Sequence, residues 1–169
     1  MIIRPETSAD HEVVGRVVTS AFGHANEARL VELIRDSPHY ISELALVAQE
    51  NGIVVGQALF SYVGLDGDSP MSILGLAPVA VVPSRQGRGI GSALIRAGLD
   101  RANARKEPLV VVLGHPGYYP RFGFELASRH GIEPPSRDIP DSAFMVKLLS
   151  GYCDRYRGRV VYPPAFDVT

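Results

Sequence analysis

Val79-Ala80-Val81-Val82-Pro83-Ser84-Arg85-Gln86-Gly87-Arg88-Gly89-Ile90-Gly91-Ser92-Ala93-Leu94 is the run whose reading decides the fold. It opens as an apolar strand, turns at Pro83-Ser84-Arg85, and passes through alternating glycines into a helical pattern. Glycine lets backbone approach a ligand closely. A helix starting there presents unpaired amides and the positive end of its dipole, which is an anion site suited to phosphate. A dinucleotide fingerprint requires Gly-x-Gly-x-x-Gly, but counting from Gly87 reaches Gly89 and then Ser92. No glycine is followed by Lys, so a Walker loop is excluded as well. The spacing that fits is Gln-x-x-Gly-x-Gly, carried by Gln86, Gly89 and Gly91.

Upstream of that run, Ile2-Ile3 predicts a short strand, and Thr7 or Ser8 can cap a helix ending at Gly23. Val13, Val14, Val17, Val18 and Phe22 recur at helical spacing. A second helix is expected over Asn26 to Asp36. Asn51-Gly52 between apolar runs predicts a hairpin, and a second turn at Asp66-Gly67-Asp68 leads into a strand from Met71 to Val82. Pro78 cannot donate to a ladder, so that strand should stop pairing on one side near it, leaving a gap for a ligand.

Downstream, the helix after the glycines should reach about Arg105. Leu109 to Leu113 is continuously apolar, a strand buried on both faces and reached by a parallel crossover. Gly114 to Phe124 reads as a loop with one short helix, Gly131 to Asp141 as a surface loop, and Ala143 to Leu149 as a last strand. The tail from Gly151 has aromatics enough to dock but no clear periodicity.

The chain has 169 residues, 46% apolar and 21% charged, with a formal charge of −1. These values predict a globular chain and argue against a generally basic nucleic-acid binder. A lone cysteine, Cys153, rules out an intrachain disulfide and a cysteine metal cluster. His11-Glu12 begins a zinc motif that fails at Gly15, and no metal is expected. The absence of a signal-peptide pattern and of a spanning apolar run predicts a cytoplasmic protein with no membrane partner.

With these pieces in order, the sequence resembles the GNAT acetyltransferase superfamily. Val81 to Leu94 matches the family's Val-x-Pro-x-x-Gln-Gly-x-Gly-Ile-Gly-x-x-Leu, and Tyr118-Tyr119-Pro120-Arg121-Phe122-Gly123-Phe124 matches its aromatic pair ahead of Gly-Phe. Together with the Asn26-Glu27-Ala28 helix start and the Val160 to Phe166 tail, they look like a bacterial branch of predicted N-acetyltransferases.

The resemblance implies an α/β fold whose central, mostly antiparallel sheet is splayed at its fourth and fifth strands and flanked by helices. It implies a catalytic domain over 1–149 and an extension over 150–169 packed on it. Acetyl-CoA would be the cosubstrate, and a primary amine, on a small molecule or a peptide, the acceptor. The rival reading is an acyl-CoA-binding sensor without catalysis. By the same resemblance, Val79, Ala80 and Val81 would pair with the pantetheine arm. Gln86, Gly87, Arg88, Gly89, Ile90, Gly91 and Ser92 would hold the pyrophosphate.

Tyr119 would protonate the leaving thiolate. The central strand has no acid or histidine to act as base, which leaves His115, Glu27 or an ordered water chain. A monomer and a homodimer are both compatible with the sequence.

Overall fold

A computed structural model describes residues 1–169. The strands β1 (Ile2–Pro5), β2 (Ala45–Glu50), β3 (Ile53–Asp66), β4 (Pro70–Val81), β5 (Leu109–Leu113), β6 (Glu125–Leu126), β7 (Ile132–Glu133), β8 (Phe144–Leu148) and β9 (Gly158–Val161) follow the order β1-β2-β3-β4-β5-β8-β6, with β9 pairing β3 and β7. Two compact units divide the chain, and β3 and β4 each contribute a part to both.

The first unit comprises Met1–Ser61, Leu76–Arg101 and Pro164–Thr169. β1 (Ile2–Pro5) pairs antiparallel with β2 (Ala45–Glu50), and β2 with β3 (Ile53–Asp66). The hairpin turns at Asn51-Gly52, both with positive φ (48° and 78°), the geometry that twists with the flanking strands. α1 (His11–Phe22) buries Val14, Val17 and Val18, and α2 (Asn26–Arg35) buries Leu30, Val31 and Ile34. These residues share one cluster with Val47, Leu59 and Ala80. Each Val, Leu or Ile side chain among them contributes about 1.5–3 kcal/mol on burial.

Ala165, Phe166 and Val168 of the tail pack against the same cluster. Glu6 ties β1 to α2: Arg35 donates to both its oxygens at 3.0 Å and Tyr40 donates at 2.8 Å. Burial, then the Glu6 carboxylate, pushes the Tyr40 phenol up.

α1 begins later than the capping pattern suggests. A 3-10 turn over Ser8–Asp10 precedes it, because Asp10 is drawn back by Arg4 at 2.7 Å and by the Thr7 N–H at 2.7 Å.

The second unit comprises Tyr62–Gly75 and Ala102–Pro163. β5 (Leu109–Leu113) pairs antiparallel with β8 (Phe144–Leu148), which pairs with β6 (Glu125–Leu126). β4 (Pro70–Val81) pairs parallel with β5 only at Leu74↔Val110 and Gly75↔Val111. That ladder ends at Gly75, three residues before Pro78, and the sheet is mixed and splayed at its fourth and fifth strands. β9 (Gly158–Val161) pairs with β3 at Gly64 to Asp66 and with β7 (Ile132–Glu133). The tail and the Gly131 to Asp141 segment, expected as irregular, thus each supply a strand.

Candidate active site

The end of β4 offers one backbone edge. The Val82 N–H donates to the Val55 carbonyl at 2.9 Å, so even-numbered residues here face β3. Consistent with that, the Pro78 carbonyl accepts from Gln57 Nε2 at 3.0 Å, and Gln57 is only 3% exposed. Ala80 likewise turns its main chain to β3 and its side chain into the core. By alternation, Val79 and Val81 direct their amides and carbonyls away from β3. The Val81 carbonyl accepts from Gln86 Nε2 at 2.9 Å, so Gln86 folds back on the strand it follows.

Beyond a 3-10 turn at Pro83–Arg85, Gly87 and Gly89 take φ of 76° and 84°. A β-carbon added at either would meet no atom within 4 Å, so the loop stands open on that side. α3 spans Ile90–Ala104, and the Ala93 N–H bonds to the Gly89 carbonyl at 3.0 Å. Ile90 and Gly91 stand at the helix start, where a backbone amide has no carbonyl one turn earlier within the helix, and the helix dipole adds partial positive charge there. Ile90 is buried and anchors this end, while Arg88 is exposed beside it. Gly91 and Ser92 lie in the first turn.

Glu27 sits at the start of α2, on the stripe that continues through Leu30, Val31 and Ile34. That stripe faces the core cluster containing Ala80, so a carboxylate occupies the end of an otherwise apolar face. Its side chain is 17% exposed, with Oε2 3.2 Å from His24 Nδ1. Oε2 is enclosed and makes no well-aligned hydrogen bond. Sequence reasoning missed His24, which belongs to no motif. It missed Gln57 too, although a lone amide inside an apolar strand run was a visible signal.

The aromatic loop lies in the second unit and clamps itself. The His115 carbonyl accepts from the Tyr118 N–H at 3.1 Å, and His115 Nδ1 accepts from the Gly117 N–H at 3.1 Å. The Arg121 guanidinium donates to the Tyr118 carbonyl at 2.9 Å and lies 4.6 Å over the Tyr118 ring. Tyr119 opens the 3-10 turn Tyr119–Phe122. Its ring meets Tyr118 and Phe124 edge-on, at centroid distances of 5.2 and 5.6 Å. Burial, with a smaller contribution from Tyr118, pushes the Tyr119 phenol up to about 12, so it carries its proton throughout the neutral range.

The model of the acetyltransferase (GNAT) domain matches residues 2–127. Two Escherichia coli K12 proteins are similar. The uncharacterized N-acetyltransferase YjhQ is 38% identical over 135 residues, 79% of this chain and 74% of that one. The uncharacterized N-acetyltransferase YhbS is 36% identical over 151 residues, 89% and 88% of the two chains. The crystal structure of Escherichia coli YhbS in complex with CoA superposes with a TM-score of 0.87 at 33% identity, covering 98% of this chain and 91% of that one. A Brucella melitensis GNAT acetyltransferase in complex with acetyl-CoA gives 0.80 at 32% identity, covering 98% and 97%. No helix of the present chain is long and apolar enough to cross a membrane. The strand-to-helix glycine run, the splayed ladder and these likenesses agree, and the chain belongs to the GNAT family of acetyltransferases.

Proposed function

We propose that this enzyme transfers the acetyl group of acetyl-CoA to a primary amine by direct attack in a ternary complex. The observation that carries the reading is the continuity of two surfaces along one stretch of chain. The Val79 and Val81 edge, turned from β3, runs straight into the open loop at the start of α3. A strand edge suits the amide-bearing pantetheine arm, and helix-start amides suit a diphosphate. The two similar crystal structures are complexes with CoA and with acetyl-CoA, which supports the same cosubstrate here.

In this reading Gly87, Gly89, Ile90, Gly91 and Ser92 hold the pyrophosphate through their amides, with Arg88 adding charge. Gln86 sets the loop against Val81. Ala80 places the strand through its core contact, while Val79 and Val81 make the pairing. The Val81 N–H polarises the thioester carbonyl.

The amine nitrogen forms the new bond to the acetyl carbon as the carbon–sulfur bond breaks. Glu27 receives the proton the nitrogen loses, and Tyr119 donates to the departing thiolate. The two transfers balance, since sulfur gains one proton for the one that nitrogen gives up. His115 fits a bracing role better than a basic one. While Nδ1 accepts from Gly117, the neutral ring carries its proton on Nε2.

Calorimetry with acetyl-CoA, on the wild type and on Gly89→Asp and Gly91→Asp, tests the cosubstrate site. Binding should be lost in both variants, and undiminished binding in either would sink the assignment. Thiol release across an amine library then separates catalysis from the sensor reading, which predicts binding without release.

A further inference from the structure

Gly114 closes β5 and opens the aromatic loop. Its N–H donates to the Ala143 carbonyl at 2.9 Å, next to the Leu113↔Phe144 pair, so its backbone is held by the β5–β8 ladder. Its φ lies outside the left-handed region, and the backbone there does not itself demand glycine. What demands it is Tyr119. A β-carbon on residue 114 would clash with the Tyr119 ring, nearest to Cε2 and then to Cδ2 and Cζ. Tyr118 and Phe124 pack against the same ring in T-shaped contacts. Phe122 lies farther off, at 6.3 Å between centroids, so the ring is located by bare main chain and by three aromatic neighbours.

We infer that Gly114 is a positioning residue for the reaction: its missing side chain seats the Tyr119 ring and so sets where the phenol hydroxyl lies. The inference rests on the reading of Tyr119 as donor to the thiolate. A side chain at 114 must move either the ring or the end of β5. The ladder holds the backbone, so the ring moves. A hydroxyl misplaced by about 1 Å can lower the rate by about 10²-fold.

The test uses the full chain in Gly114→Ala, Tyr119→Phe, Tyr119→Ala and the two double variants. Thiol release from acetyl-CoA is measured with the best acceptor among spermidine, lysine amide and a glycyl peptide, and Tm is recorded for each variant. Gly114→Ala should lower kcat by about tenfold or more with KM for acetyl-CoA within about twofold of wild type. It should cause no further loss in the Tyr119→Phe background. Its effect on Tm should vanish beside Tyr119→Ala, where the ring is gone.

An equal loss of kcat in both backgrounds overturns the inference. So does an unchanged kcat, or a Tm loss that persists beside Tyr119→Ala. If Gly114→Ala fails to fold, a folded Gly114→Ala/Tyr119→Ala supports the seat and an unfolded one removes it. A wild-type rate for Tyr119→Phe alone removes the donor reading instead, and is told apart by the melting cycle.

Discussion

The side-chain amide of Gln86 donates to the main-chain carbonyl of Val81 across 2.9 Å. The bond closes the glycine loop back onto the strand edge that precedes it. An exposed neutral hydrogen bond contributes about 1 kcal/mol, or about fivefold in an equilibrium constant. Gln86→Ala should therefore raise the calorimetric Kd for acetyl-CoA about fivefold while kcat changes less. Gln86→Glu should weaken binding further, because a carboxylate repels both the Val81 carbonyl and a phosphate. An unchanged Kd in both variants would mean that the bond does not shape the cosubstrate site.

Glu27 is the one acid on the core-facing stripe of α2, with its Oε2 3.2 Å from His24. Gln has the same shape but neither charge nor basicity. Glu27→Gln should lower kcat/KM for a cationic amine by about 10²-fold, the scale of a general base, and leave acetyl-CoA binding as it was. Steady-state rates and calorimetry on the same preparation separate the two effects. Retained kcat/KM would return the carboxylate to a helix-start partner of the dipole.

Local chemistry was legible in the sequence, and long-range pairing was not. Asn51-Gly52 specifies its own turn, and the Gln86 to Gly91 spacing specifies a strand-to-helix junction, since in both the deciding atoms lie within a few residues. β9 was invisible because its partners, Gly64 to Asp66 and Ile132-Glu133, are remote in sequence and no period in Gly158 to Val161 marks the pairing. The direction of Ala80 also lay beyond the sequence. Which residues of β4 face β3 depends on register, and Val82 to Val55 reveals it. Gly114 is similar: its need for glycine comes from a ring five positions on, folded back over it.

For Tyr119 the sign of the pH effect follows from its shift. Burial raises the phenol to about 12, so the donating form is the majority species at every pH below that. Tyr119→Phe should lower kcat by about 10²-fold at neutral pH. In the wild type no alkaline loss of kcat should arise from this group below about pH 10. A pH–rate profile of both proteins checks this. An alkaline limb near neutrality that disappears in Tyr119→Phe would show a phenol far more acidic than its burial allows.

Arg4 and Asp10 predict a pH dependence of stability rather than of rate. Arg4 donates to Asp10 Oδ2 at 2.7 Å and to Oδ1 at 3.0 Å, and the Thr7 N–H adds a bond at 2.7 Å. The Arg4 bonds hold the Asp10 carboxyl well below the usual carboxylate range, against the opposing effect of burial. A group depressed in the folded state stabilises fully above its unfolded pKa, about 3.9, and that contribution is lost as pH falls below it. Arg4 is 30% exposed, so after screening by solvent the contribution is about 1–2 kcal/mol. Asp10→Asn should lower Tm at pH 7, and the gap to wild type should narrow as the pH is taken from about 5 to about 3. A gap that stays constant over that range would show that Asp10 stabilises through shape and neutral hydrogen bonds instead of through its charge.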